Sequence, residues 1–457
     1  MIKKKNIFNV FIIFLIFHLV IWTLIPTLSN ENLPLDTIEA LAWGSDLDWG
    51  FDKHPPLSAI IVEFVYSIFG PRDWVYYLLS QIFVIVAFIY VWKFSKEIFD
   101  EKIYSLISLF IIEGIYFYNF TTPEFNVNVC QLPFWALTVY YFWRSTNSNK
   151  ILDWSLFGVF SALGFLSKYL FIYLLLAIFF YFFYNLKKNK RMISKYFFSI
   201  FISLLILTPH LKWLIENNFV TILYGLDRTG LEDSNFKDHI INPTLFVLKQ
   251  IGILSPVFIM IFLLMKKIKI KFSLKNKQTL FLIIINIIPL VLMFATTILT
   301  GAKIRTMWMT PFYLFFGILL IDLFKKNILL NNLKKFYLTF LFFLILSPTL
   351  YLSISLLDET KRTDYPGKEI TRLVQNKWDK NFINEIKIVV GDEWFAGNLS
   401  YHLYSRPIWM RSLENKTSTI SENQGVVYVG NPKILKKICP GVFGTIKPVG
   451  YCMIGVK

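Results

Sequence analysis

Residues 7–28 read IFNVFIIFLIFHLVIWTLIPTL, without a single charged side chain. Lys3, Lys4 and Lys5 precede this stretch and give it the look of a secretory leader. Its apolar run is longer than a leader carries and no small-residue cleavage site follows, so a retained membrane span is expected. A helix crosses a bilayer with roughly 20 mostly apolar residues. Further stretches of this kind occur at 74–92, 103–120, 127–143, 151–166, 169–186, 196–215, 244–265, 278–299, 307–324 and 336–357. The expected fold class is therefore an α-helical polytopic membrane protein of about eleven transmembrane helices. Composition agrees, with 55% hydrophobic residues, 17% charged residues and a mean hydropathy of +0.53, against about 25% charged in soluble domains. A soluble enzyme, a disordered chain and a secreted disulfide scaffold are excluded.

The net charge of +17 would point to nucleic acid in a soluble protein, but here its placement decides. Lys and Arg concentrate in cytoplasmic loops and set orientation. With the N-terminus inside, the inner segments receive Lys3–Lys5, then Lys93, Lys96 and Lys102, then Arg144 and Lys150. They go on to receive Lys187, Lys188, Lys190, Arg191 and Lys195, the lysine run at 266–277, and Lys325, Lys326, Lys334 and Lys335. The basic excess is a topology signal, and nucleic acid is not an expected partner. The apolar stretch 57–69 is too short to span, and counting it would invert every later loop. It is expected to lie along or dip into the outer interface.

This topology gathers ionisable residues on the outer face. The loop 29–56 holds Glu31, Asp36, Glu39, Asp46, Asp48, Asp52, Lys53 and His54. The segment 119–126 centres on Glu124, Lys168 caps a third loop, and Asp227 and Arg228 occupy a fourth. Lys303 and Arg305 stand directly before the tenth span. Charges at the mouth of a helical bundle are costly unless paired or wetted, and read as functional by default. A carboxylate takes a proton from an acceptor hydroxyl, and clustered cations hold a phosphate as it departs. Together they would move a group off a lipid phosphate where no nucleotide is available. A transporter of a lipid or polyanion is the competing reading, but it calls for internal repeats or broken spans near the midplane, and these charges cluster at one face.

Two pieces of the first loop, LPLDTIEALAWG (33–44) and WGFDKHPPL (49–57), resemble the family 39 glycosyltransferases. These are integral-membrane enzymes of the GT-C fold, among them protein O-mannosyltransferases and the bacterial aminoarabinose transferases of lipid A. The resemblance continues through TTPEFN (121–126), LSKY (166–169), TPHLKW (208–213) and TGAKIRTMW (300–308). It implies a polyprenyl-phosphate-sugar donor, an inverting transfer, and chemistry on the outer face of the bacterial cytoplasmic membrane. Lipid A or lipopolysaccharide core is the first expected acceptor and protein hydroxyls the second. Asp36 matches the family's candidate base, Glu124 its second acidic position, and Lys53 and His54 its Lys/His-Pro-Pro element near the donor phosphate. Two departures stand out: Thr37 and Ile38 separate Asp36 from Glu39 where relatives often have adjacent acids, and the chain is shorter than many relatives.

Other roles compete for some of these residues. Asp36 also suits a helix N-cap. Pro55 and Pro56 stiffen the backbone that aims Lys53 and His54. Lys303 and Arg305 cannot share a helix face, though a loop can aim both inward; with Lys168 they are assigned to the donor phosphate, against anchoring on anionic headgroups. His210 is a weak candidate for a divalent metal, without paired ligand spacing, and a packing role competes. No other cofactor is expected. Asp46-Leu47-Asp48 imitates a nucleotide-sugar metal motif and is read as loop polarity, and Glu113, inside the third span, has no assigned role.

Residues 1–357 are read as the catalytic membrane domain and 358–457 as a small extracytoplasmic α/β domain, with strands at 386–390 and 425–429 and a helix at 398–403. Asp392, Glu393 and Trp394 follow the first strand and are candidate sugar contacts, against the competing reading that strand-end turns favour acids. Cys439 and Cys452 fall on the side where a disulfide is allowed; spacing does not establish one.

Overall fold

The computed structural model describes residues 6–186, 192–230, 235–265, 273–411, 424–446 and 449–457. The basic residues Lys3–Lys5, Lys187, Lys188, Lys190, Arg191, Lys266, Lys267, Lys269 and Lys271 lie outside the described residues. The membrane portion comprises α1 (Ile7–Ser29), α2 (Leu35–Gly44), α3 (Leu57–Phe69), α4 (Asp73–Ile98), α5 (Lys102–Ile112), α6 (Val127–Ser148) and α7 (Ile151–Ser167). It continues with α8 (Ile172–Leu186), α9 (Ile193–Glu216), α10 (Val220–Arg228), α11 (Asp238–Leu264), α12 (Lys277–Thr300), α13 (Phe316–Phe324) and α14 (Leu333–Leu357).

Each of the eleven expected spans falls on helical structure. Among the described residues seven helices are long and apolar enough to cross a membrane, or eight if Thr306–Tyr313 and Phe316–Asn327, bent by 53°, form one span. The others differ for local reasons. The stretch 103–120 is helical only to Ile112, then turns through Glu113 and Gly114 into a short 3₁₀ segment. The α6 helix is long enough but carries Asn128, Gln131 and Pro133, all buried, because it runs through the interior of the bundle rather than facing lipid. The α3 segment is a helix of 13 residues, too short to span.

Helix ends follow their sequence signals. Asn126 caps α6 by accepting from the N–H groups of Asn128 and Val129 at 2.9 and 3.2 Å. Asn276 caps α12 in the same way, and Gly301, at φ 68°, ends that helix and opens the loop 301–305. The buried pair His18 and Glu113, 3.4 Å apart, joins α1 to the end of α5, where Glu113 lines a cavity of about 470 Å³ that also reaches Asn119 and Lys249.

The C-terminal part adds α15 (Gly367–Asp379), β1 (Ile388–Val390), α16 (Phe395–His402), β2 (Ile408–Met410), β3 (Val426–Gly430), α17 (Pro432–Ile438), β4 (Val442–Ile446) and β5 (Val449–Ile454). The sheet order is β2-β1-β3-β5-β4, parallel on the β2-β1-β3 side and antiparallel on the other. Cys439 and Cys452 form a disulfide. This small domain docks on α2 and α3. Arg406 reaches Glu63 at 2.5 Å and the carbonyl of Leu41 at 2.6 Å, Tyr401 donates to Asp73 at 2.8 Å, and Asn32 donates to Asn398 at 2.7 Å.

Candidate active site

Asp36 lies in the first turn of α2 but does not cap it. Pro34 holds the N-cap position, and the Asp36 N–H donates to Oε1 of Glu124 at 3.0 Å. The capping role belongs to Glu124, whose carboxyl satisfies an amide the helix start leaves free. Thr37 donates to the carbonyl of Phe125 at 3.2 Å, and Gln81 of α4 donates to the Thr122 hydroxyl at 3.1 Å. The two acidic residues are thus clamped from both chain segments. Burial raises the Asp36 carboxyl above its usual range, opposed by the charges of Lys168, Lys53, Arg362 and Arg305 in that order. Burial, and then the Asp36 charge, raise Glu124 as well. Asp36 is the partner that faces cations, so it is the ionised one and Glu124 holds the proton.

Lys53 sits between two carboxylates, 2.8 Å from Oε1 of Glu39 and 3.1 Å from Oε1 of Glu393. Burial disfavours its charge, but the hydrogen bonds and charges of those carboxylates outweigh this and leave its pKa raised. His54 corrects an expectation. Burial, reinforced by Lys168 and Lys53, pushes its imidazole down to about 3, so it offers a neutral ring packed edge-on to Trp43 and no cation for a phosphate.

Lys168 occupies the break between α7 and α8 in extended backbone. Gly164 makes this tight turn possible, since a Cβ there would lie 2.2 Å from the Phe171 ring. The ammonium donates to Oδ1 of Asn128 at 2.6 Å and lies 5.2 Å from the Trp308 ring centre. Burial lowers its pKa to about 7; Asp36 opposes the shift and Arg305 adds to it.

The 301–305 loop separates the two cations expected to act together. Arg305 lies within electrostatic range of Asp36 and Lys168. Lys303, exposed, lines a different cavity of about 370 Å³ with Asp227, Arg228, Asp238 and Asn242. Its backbone N–H donates to the carbonyl of Thr229 at 3.1 Å.

His210 of α9 holds the first loop in place. Its Nδ1 pairs with the carbonyl of Trp49 at 2.6 Å and its Nε2 with the Tyr169 hydroxyl at 2.8 Å. Nearby, Trp213 donates to Asp48 at 2.8 Å, and a Cβ on Gly50 would lie 2.3 Å from the Trp213 ring. With both nitrogens engaged, His210 presents none to a metal. Among the described residues no group of three or more His, Cys, Asp and Glu side chains is arranged to hold a metal ion.

A cavity of about 420 Å³ opens beside the carboxylates. Asp36 and Glu124 form one wall, and Tyr351 at the end of α14 with Lys361, Arg362 and Thr363 of the following linker form the other. The linker is pinned by the N–H groups of Glu31 and Asn32, which both donate to the carbonyl of Thr363, at 3.0 and 2.9 Å. Lys361 and Arg362 were missed by sequence reasoning, which counted them with the C-terminal domain. An odd number of spans from an inside start puts the end of α14 on the same side as the first loop, and that signal was available. Glu393 stands in the turn the sequence offered as a sugar contact, and Arg411 gives no comparable sequence signal.

Residues 53–213 match the family model described as dolichyl-phosphate-mannose-protein mannosyltransferase. The chain has the GT-C fold and, with seven helices among the described residues long and apolar enough to cross a bilayer, is an integral membrane protein. Among solved structures it is similar to ArnT from Cupriavidus metallidurans bound to undecaprenyl phosphate, at a TM-score of 0.68 and 10% identity, covering 97% of this chain and 98% of that one. The apo state of the same ArnT gives 0.65 at 10% identity with the same coverage. Archaeal oligosaccharyltransferase AglB from Archaeoglobus fulgidus, in complex with an inhibitory peptide and a dolichol-phosphate, gives 0.49 at 12% identity, covering 91% of this chain and 69% of that one. No curated protein sequence matches significantly.

Proposed function

We propose that this glycosyltransferase moves a sugar from a polyprenyl-phosphate donor to a hydroxyl of an envelope acceptor, with inversion, on the outer face of a bacterial cytoplasmic membrane. The observation that carries the reading is the Asp36 carboxyl within electrostatic range of Lys168, Lys53, Arg362 and Arg305 beside an open cavity. Asp36 takes the proton of the acceptor hydroxyl as its oxygen bonds to the anomeric carbon. The bond from that carbon to the phosphate oxygen breaks on the opposite side, and the electron pair leaves with the polyprenyl phosphate. A positioned base contributes about 10²–10⁴-fold, and cations aimed at the departing phosphate contribute on the order of 10²–10³-fold each where they act on developing charge. The raised Asp36 pKa makes it a stronger base than an exposed carboxylate. Glu124, as the proton-holding partner, acts by orienting α2 and Asp36.

The donor assignment is supported by the fold shared with ArnT, whose structure holds undecaprenyl phosphate. Lipid A or lipopolysaccharide core, the acceptor that the sequence resemblance to the aminoarabinose transferases implies, is the first to test. The protein mannosyltransferase model over residues 53–213 favours protein hydroxyls as the second. The catalytic membrane domain is residues 1–357, with the N-terminus cytoplasmic and the C-terminal domain beside the site. The test compares intact masses of envelope glycolipids and glycoproteins in wild-type, deletion and Asp36→Asn strains. One species should lack a sugar mass in both mutant strains; unchanged masses with altered solute flux would instead mark a transporter.

A further inference from the structure

Glu393 comes from the turn after β1, far from Lys53 in sequence. Its neighbour Asp392 has a local job, accepting from the N–H groups of Trp394 and Phe395 at 2.9 and 2.8 Å where α16 begins. Glu393 does not share that job. Its side chain, 11% exposed, crosses to the membrane portion, where Oε1 accepts from Lys53 at 3.1 Å and from Arg411 at 2.5 Å. Arg411 reaches on to Asp52 at 2.9 Å. The result is one chain of alternating charge, Glu39, Lys53, Glu393, Arg411 and Asp52, in which the adjacent residues 52 and 53 are both held by the C-terminal domain.

An ammonium carries three N–H donors. Glu39 and Glu393 occupy two of those on Lys53, which fixes the direction of the third and keeps the charge in a partly buried place. With Glu39 alone, a four-carbon stem would sample several rotamers, at an entropic cost to each contact it makes. Domain docking does not depend on this link. Arg406, Tyr401, Asn398 and Trp409 bind Glu63, Asp73, Asn32 and Ser45 independently of it.

We propose that Glu393, backed by Arg411, is a positioning residue for the donor phosphate: the C-terminal domain completes the phosphate-binding lysine of the membrane domain. The inference rests on reading Lys53 as a phosphate contact.

The test uses the full chain in nanodiscs, with undecaprenyl phosphate as the probe and sugar transfer measured in parallel. Glu393→Ala should weaken binding about tenfold, and Glu393→Gln, which keeps the acceptor without the charge, about threefold. Turnover at saturating donor should change less than about twofold in both, because the lost contact acts on binding. The decisive readout is the double variant. Lys53→Ala combined with Glu393→Ala should bind no worse than Lys53→Ala alone. Multiplying losses, or a Glu393→Ala protein that binds as well as wild type, would overturn the proposal, since a docking role acts independently of Lys53. If Glu393→Ala does not fold, Arg411→Ala reads the same link from behind and should lose its effect in the Lys53→Ala background. Wild type that shows this coupling in binding but transfers no sugar would remove the transferase reading and keep the positioning role. Transfer lost in Lys53→Ala without coupling to Glu393 would do the reverse.

Discussion

Two lysines reach toward Asp36 from opposite parts of the molecule, and their surroundings make them different ions. Lys53, in the loop between α2 and α3, lies between the carboxylates of Glu39 and Glu393. Lys168, at the break between α7 and α8, has the neutral amide of Asn128 and the face of Trp308. The first keeps its proton at any physiological pH, while burial brings the second down to about 7. Charge at a membrane-surface site is therefore a property of the partners as much as of the residue. Here it yields one permanent cation and one that titrates.

The sharpest way to break that comparison is Lys53→Ala. It leaves Glu39 without its cation and Glu393 with Arg411 alone, and truncating one partner of a buried charge pair costs about 2–5 kcal/mol. Donor affinity should fall about 30-fold or more on that scale, and wild-type affinity in this variant would dissolve the contrast. The next effect is a pH dependence. Lys168 is charged below about 7 and neutral above it, so the donor KM should rise as pH increases through that value, by about tenfold between pH 6 and 8.5. His54, pushed down to about 3, does not change charge in this window, whereas Glu124, raised to about 8 by burial and the Asp36 charge, titrates within it. Lys168→Arg, which does not deprotonate, should flatten the profile. A profile unchanged by that substitution would assign the titration to another group.

A smaller effect separates the two acids. Glu124 holds a proton and serves as acceptor for the Asp36 N–H, so Glu124→Gln should keep transfer within about fivefold, the size of one neutral hydrogen bond. Glu124→Ala removes the acceptor and should cost more. The smallest effect belongs to Lys303→Ala, which should leave donor affinity within about twofold, since an exposed charge away from the site contributes little. Tight coupling of Lys303 to donor binding would mean that the cavity with Asp227 and Arg228 belongs to the donor path.

Sequence showed most of the membrane portion because its signals are local. Apolar runs and lysine placement depend on a few neighbouring residues, and so do the caps at Asn126 and Asn276. The convergence of Asp36, Glu124, Lys53, Lys168 and Arg305 followed from topology. What stayed hidden depends on distant packing. The Arg362 position requires knowing that the linker folds back on Asn32, and Glu393 requires knowing how the small domain docks. The pair Lys303 and Arg305 is parted by the direction the loop takes after Gly301, which two positions in a sequence do not reveal. His54 looked cationic because burial is invisible in a motif. In the small domain β2 has only three residues and β4 and β5 carry glycines, so three of the five strands gave too short or too broken a pattern to read.

The account stands on Asp36 as the base of a transfer from a lipid phosphate. The most direct measurement supplies purified protein in nanodiscs with a labelled polyprenyl-phosphate-sugar and an extracted envelope acceptor, and follows release of polyprenyl phosphate. Wild type should release it with the label moved to the acceptor, while a folded Asp36→Asn protein should bind the donor and release on the order of 10³-fold less. Release by Asp36→Asn at the wild-type rate would contradict the account.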